Sequence, residues 1–268
     1  MRRTNIYRVL AGAAVVLIAL AALAPESQAS SPIPNSAVIR TRIFNDCPTS
    51  ILTTTNNYPV EVAIEDNLDC VSGFANLHNW RFSGNSADAL VFNNGDGFRF
   101  CADLVISGTG QGESGLQVAP WWSQDVDGRL NVRTTDGEIA CFGGRLPFYS
   151  FTASHGIHYV KGNTIHLEIK YDPNSLSQAD PGTIEYTVGY QAQTYQSGPL
   201  AFDQGNPAEN HGTWGILNDA RVGGHIQPFI QTTPSMLKAS WTQICYEDLG
   251  TVPVESSTWG GIKSIYHR

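Results

Sequence analysis

The sequence predicts an all-β protein, a two-sheet sandwich or a barrel with the antiparallel sandwich preferred. Three observations carry this. No internal stretch of twelve or more residues holds a 3.6-residue apolar period, many runs of five to eight residues alternate with period two, and turn signals separate those runs. A glycine count of 26 with only 15% charged residues fits either architecture.

The chain opens with Arg2, Arg3 and Arg8 ahead of an apolar run from Val9 to Ala24, followed by Ser27-Gln28-Ala29. That order predicts a secretory signal peptide over residues 1–29, cleaved near Ala29. Sixteen apolar residues fall short of the roughly 20 that a spanning helix needs, so no membrane insertion is expected after cleavage. Residues 30–37 (SSPIPNSA) read as a flexible lead, 38–249 as a single β-sandwich domain, and 250–268 as a linker and C-terminal tail. In the tail, Trp259, Ile262, Ile265 and Tyr266 fall at helix-like intervals, but Gly260 and Gly261 argue against a helix.

Within the domain the candidate strands are 38–44 (VIRTRIF), 58–64 (YPVEVAI), 79–83 (NWRFS), 89–94 (ALVFNN), 97–107 (GFRFCADLVIS) and 114–122 (SGLQVAPWW). They continue with 129–135 (RLNVRTT), 138–143 (EIACFG), 164–171 (TIHLEIKY), 183–190 (TIEYTVGY), 212–218 (GTWGILN) and 240–247 (SWTQICYE). Asn94-Gly95, Asp96-Gly97, Asp127-Gly128, Asp136-Gly137, Asp172-Pro173-Asn174 and Gly223-Gly224 supply the turns.

Composition excludes some partners. Without the leader's Arg2, Arg3, Arg8 and Glu26, the 16 basic and 24 acidic residues become 13 and 23, a net charge of −10. An acidic, secreted or extracytoplasmic protein has no electrostatic case for nucleic acid or anionic lipid. The five cysteines (Cys47, Cys70, Cys101, Cys141, Cys245) contain no CxxC and no zinc spacing, and predict disulfides plus one leftover thiol. Cys47–Cys70, a short segment with turn residues beside each end, is the first choice of pair, while Cys101 and Cys141 sit inside predicted strands where buried thiols also fit.

Residues 112–132 (GESGLQVAPWWSQDVDGRLNV) carry the most chemistry. Alternation puts Leu116, Val118, Pro120 and Trp122 on one face and Glu113, Gly115, Gln117, Ala119 and Trp121 on the other. The Asp125–Gly128 turn makes 129–135 the hairpin partner, with Leu130 and Val132 on the apolar side and Arg129, Asn131 and Arg133 on the polar side. A face with Glu113, Gln117, Trp121, Asn131 and an arginine offers planar hydrogen-bonding groups beside an aromatic plate, which suits sugar hydroxyls and the apolar C–H face of a sugar ring. The competing reading is a solvated sandwich face with one exposed tryptophan.

The runs GFRFCADLVISG, ESGLQVAPWW, DGRLNV, TIHLEIKYDP and WGILNDARVGGHIQ, over roughly residues 75–230, resemble the concanavalin A-like lectin and glucanase jelly rolls in strand order and turn placement. The resemblance implies a two-sheet antiparallel jelly-roll sandwich with a concave sheet for an oligosaccharide or peptide, and often calcium near the rim. Enzymes of that superfamily that cleave β-glucans carry Glu-x-Asp-x-Glu on one strand. The nearest match is Glu61-Val62-Ala63-Ile64-Glu65, whose two glutamates share a face ~13 Å apart but lack the middle aspartate. Glu61 and Glu65 are therefore the candidate catalytic pair, set against a pair of solvated acids on an edge strand. Glu113 and Glu138 are further acid candidates without an identifiable partner.

For calcium, Asp203, Asn206 and Glu209, with Asn210, cluster in FDQGNPAEN, and Asp125 and Asp127 lie two apart in SQDVDG. Among the seven histidines none has ligand spacing on a helix, and no G-x-S-x-G, H-E-x-x-H, P-loop or G-x-G-x-x-G occurs. Three function classes follow: a secreted carbohydrate-binding protein with a polysaccharide or glycan ligand, a glycoside hydrolase or polysaccharide lyase, and a non-catalytic envelope or matrix protein.

Overall fold

A computed structural model describes residues 31–120, 128–209 and 212–252. The predicted leader, Trp121 and Trp122 with the Asp125 and Asp127 turn, Asn210, and the tail from 253 lie outside the described residues.

Among the described residues the chain forms two antiparallel sheets stacked as a jelly-roll sandwich. The first runs in the order β1 (Ser36–Asn45), β4 (Asn76–Ser83), β14 (Ala220–Pro228), β6 (Gly112–Pro120), β7 (Gly128–Arg133), β8 (Ile139–Gly143) and β9 (Tyr149–Ser150). The second runs β12 (Gln193–Gln196), β11 (Thr183–Tyr190), β10 (Thr164–Asp172), β5 (Asp96–Ser107), β15 (Ser235–Thr251), β3 (Glu61–Leu68) and β2 (Ile51–Asn57), with β13 (Leu200–Ala201) alongside β11. One helical turn, α1 (Phe151–His155), is closed by the Ser150 hydroxyl, which accepts from the Ala153 N–H, and by Gly156 in the left-handed conformation.

Period-two alternation decides which side chains meet between the sheets. From β5, Phe98, Phe100, Ala102, Leu104 and Ile106 point inward; from β6 and β7, Leu116, Val118, Leu130 and Val132 do so, and all are buried. Trp80 and Trp241 meet edge to face at the centre, with ring centroids 6.1 Å apart. Polar links also cross between the sheets: the Trp241 indole N–H donates to the Gly115 carbonyl (3.2 Å) and the Asn56 amide to the Ala37 carbonyl (2.8 Å). Asp66 of β3 accepts from Asn76 and from the Nε2 of His78 (2.9 Å), both on β4, while the Arg42 backbone N–H donates to His78 Nδ1. Burial works to raise the Asp66 carboxyl, but hydrogen bonds from His78, Ser50 and Asn76 outweigh it and hold the group below the usual carboxylate range.

Cys47 and Cys70 are joined, as expected, tying the β1–β2 connection to the β3–β4 connection. Cys101 on β5 is bonded to Cys245 on β15 rather than left as a thiol, and Cys141 is the buried free cysteine. Residues 89–94 and 212–218 are not strands; the first makes only single bridges from Ala89 to Ser83 and from Phe92 to Ala220. Gly223-Gly224, expected as a turn, lies mid-strand in β14. These glycines permit close packing: a Cβ on Gly223 would strike the Trp80 carbonyl, and one on Gly224 the indole nitrogens of Trp80 and Trp241. The predicted linker also begins late, since β15 continues to Thr251.

Candidate functional site

The outward face of the first sheet carries two rows of polar side chains fixed by strand register. One row reads Val38, Arg81, Gly223, Gln117, Arg129, Phe142 across β1, β4, β14, β6, β7 and β8. The next reads Arg40, Asn79, His225, Gly115, Asn131, Ala140 across the same strands. The alternation read from 112–133 therefore places Glu113, Gln117, Arg129 and Asn131 on one face and Leu116, Val118, Leu130 and Val132 on the other. The face is not a solvated one at this point: Glu113 and Arg129 are 8% exposed, Gln117 and Asn131 2%, and His225 0%.

Glycine makes the cluster possible. Gly115 lies between His225 and Asn131 in its row, and without a side chain there the two meet above the middle strand, His225 Nε2 to Asn131 Oδ1 at 3.0 Å. The amide nitrogen of Asn131 donates to Glu113 Oε2 at 3.0 Å, and the Arg129 guanidinium donates to Glu113 Oε1 at 3.3 Å and to Gln227 Oε1 at 2.8 Å.

The order of donors fixes the protons. A carboxylate only accepts, so Glu113 takes the Asn131 NH₂ and leaves its carbonyl oxygen toward His225. His225 must then donate from Nε2. Burial first, then the positive charges of Arg129 and Arg81, hold the imidazole well below the ordinary histidine range, so it is neutral at pH 7. In that tautomer Nδ1 carries a lone pair, and among the described residues it has no hydrogen-bond partner.

Beside this cluster a cavity of about 540 Å³ opens on the same face, with Arg40, Asn79, Arg81, Asp88 and Arg221 among its walls. Asn79 stands opposite His225 in the ladder, so the cavity adjoins the cluster. On the far side Phe142, directly across from Arg129, is 37% exposed and presents an aromatic surface.

The other predicted site residues lie apart. Arg133 turns to the β7–β8 turn, where it grips Asp136 through two hydrogen bonds (2.9 and 2.6 Å) and pairs with Glu138 (2.6 Å); those bonds hold Asp136 at about 2. Glu61 and Glu65 sit on the outward face of the second sheet, the opposite side of the sandwich. Their strand is not the expected edge, because β3 runs between β2 and β15. Glu65 accepts from its neighbour Asn67 (3.0 Å).

At the Asp203 loop, the 84% exposed Asp203 carboxylate is bound by Arg145 (2.7 Å) and by the Gly205 N–H; the Arg145 hydrogen bond leads in holding it below its ordinary range. Asn206 accepts from the Ala208 N–H, and Glu209 closes the 3₁₀ turn Pro207–Glu209. A guanidinium already occupies the loop's carboxylate, so the described donors do not fit calcium's need for six to eight oxygens.

His225, Gln227, Asn79, Arg81 and Arg221 are site residues that sequence reading did not single out. The signal was available in GGHIQ, where alternation alone pairs His225 with Gln227.

No protein-family model matches the chain, and no curated protein matches it. Solved structures with a similar arrangement include a substrate complex of a family 7 alginate lyase, at 6% identity over 72% of this chain and 79% of that one, TM-score 0.43. A Lotus tetragonolobus seed lectin aligns at 9% identity over 84% and 98%, TM-score 0.41. A non-specific endo-β-1,3(4)-glucanase of family GH16 aligns at 9% over 82% and 95%, TM-score 0.36.

Proposed function

We propose that this is a secreted carbohydrate-binding protein that holds a glycan chain against the outward face of the β1–β9 sheet. The observation that carries the reading is the Glu113–Asn131–His225 chain with Arg129 and Gln227. Five side chains from three adjacent strands are held by mutual hydrogen bonds next to a cavity, with an exposed phenyl ring beyond. Sugars present both donors and acceptors at fixed spacing and an apolar ring face, and a pre-ordered set of carboxylate, amide and guanidinium with an aromatic plate answers both. The leader read from sequence and the two disulfides support an extracytoplasmic location.

A glycan-array screen of the mature protein, followed by fluorescence titration, tests this. A dissociation constant between about 10 μM and 1 mM is expected, or roughly 4 to 7 kcal/mol. Phe142→Ala should weaken it by about 1 kcal/mol through lost stacking. Absence of binding across neutral and acidic glycans would refute the reading.

A second reading is cleavage of the bound glycan, and the feature that raises it is the buried Nδ1 of the neutral His225 imidazole, which carries a lone pair with no hydrogen-bond partner among the described residues. Release of reducing ends or ultraviolet-absorbing unsaturated products, lost in His225→Gln, would establish an enzyme. Retention without turnover would leave the binding protein.

A further inference from the structure

We infer that the cavity between β1, β4 and β14 is a subsite for an acetamido sugar, one whose ring carries an N-acetyl group. The inference rests on the glycan-binding reading and narrows its ligand class.

At about 540 Å³ the cavity lies within the range of roughly 300–1,000 Å³ that takes a small ligand, so it has room for a whole sugar unit with its substituent. Its wall holds an acceptor without a donor. Asn79 of β4 is 4% exposed, and its buried Oδ1 receives no hydrogen bond from any described residue. Buried polar groups are paired almost without exception, so a ligand that donates at this point completes the wall. Arg40 of β1 stands directly opposite Asn79 in the β1–β4 ladder. Its guanidinium only donates, and among the described residues it makes one hydrogen bond, from Nη2 to the Ala87 carbonyl at 2.8 Å. Apolar surface lies beside these two groups, from Ala89 and from Ile43, which is 37% exposed.

The wall therefore offers an acceptor, a donor and an aliphatic surface. An N-acetyl group carries the complement of each: an N–H for Asn79 Oδ1, a carbonyl for the Arg40 guanidinium, and a methyl for Ile43 and Ala89. Other sugar substituents match less of it. A carboxylate or sulfate only accepts, and leaves Asn79 Oδ1 unpaired. An ammonium only donates, and meets the like charge of Arg40. A hydroxyl can donate to Asn79 but brings nothing to the apolar surface. Asn79 also stands opposite His225 in the β4–β14 ladder, so the subsite adjoins the polar cluster and can take one unit of a chain held there.

The test titrates the full mature chain with three β-1,4-linked hexamers that differ only in the group at position 2 of each ring: acetamido (chitin), amino (chitosan) and hydroxyl (cellulose). Two variants follow, each checked for native folding by its thermal transition. Asn79→Leu removes the acceptor at similar volume. Arg40→Ala removes the opposed donor from an exposed position, so it carries the test if the buried substitution fails to fold. The expected result is a chitin hexamer bound at least about tenfold tighter than either of the others, a preference that Asn79→Leu abolishes and Arg40→Ala lowers about threefold or more. A chitin hexamer bound no tighter than the cellulose hexamer overturns the subsite, while the glycan reading stands on any binding in the array. A preference that the folded variants retain in full overturns the assignment to this cavity. If the array is blank as well, the glycan reading fails and takes the subsite with it.

Discussion

Lowering the pH from about 7.5 to about 5.5 should destabilise the protein through His225. The imidazole is fully buried and held well below its ordinary value of 6.5, by burial and then by Arg129 and Arg81. In the unfolded chain the same histidine titrates near 6.5, so on acidification the unfolded state takes up a proton that the native state refuses. A depressed native pKa means the contribution is complete above about pH 6.5 and is lost as pH falls toward the native value. With an unfolded pKa of 6.5, one proton of difference removes about 1.4 kcal/mol between those two pH values. Urea denaturation of the wild type and of His225→Gln, at several pH values in this range, isolates the residue. Gln retains a donor for Asn131 Oδ1 but does not titrate, so its stability curve should be flatter by about 1.4 kcal/mol. Parallel curves for the two proteins would show that His225 is protonated in the native state, and the tautomer derived for the cluster would fall.

Other consequences are as specific. Glu113→Ala removes the carboxylate that accepts from the buried Arg129 and Asn131 side chains and should cost about 1–3 kcal/mol by chemical denaturation; a loss under about 0.5 kcal/mol would show the pair to be solvated. Gly115→Val drives a Cβ into the Leu130 carbonyl and fills the gap under the His225–Asn131 bond, so it should lower stability by about 1–3 kcal/mol or prevent folding, read from the thermal transition. Burial pushes the Cys141 thiol up, so a thiol reagent should leave the native protein unmodified and label one cysteine per chain in denaturant. Three or more labelled thiols in oxidised material would contradict the disulfide pairing.

Sequence reading reaches local geometry and stops where distant strands meet. Alternation in 112–133 separates the core stripe from Glu113, Gln117, Arg129 and Asn131 because a strand's period is two and the hairpin partner lies only a turn away. The Cys47–Cys70 pair is legible for the same reason of short separation. His225 stands more than ninety residues from Asn131 in sequence, and no local pattern announces that β14 slides between β4 and β6. Glycine misled directly. Gly223-Gly224 reads as a turn by composition, whereas the structure uses it for close approach to Trp80, and that misreading hid Arg221, His225 and Gln227 together. Glu61 and Glu65 share a face as alternation requires, but only the sheet order reveals that this face is on the opposite side of the sandwich from the polar cluster.

The most direct measurement is a side-chain NMR titration of the mature protein with an oligosaccharide chosen from the glycan screen. Resonances of the Asn131 and Gln117 amides and the His225 imidazole should shift together and saturate on one binding curve, while those of Asn67 beside Glu65 and Asn206 in the Asp203 loop stay still. Shifts confined to Asn67 or Asn206, with Asn131 and His225 unmoved at saturation, would place the glycan elsewhere and contradict the account.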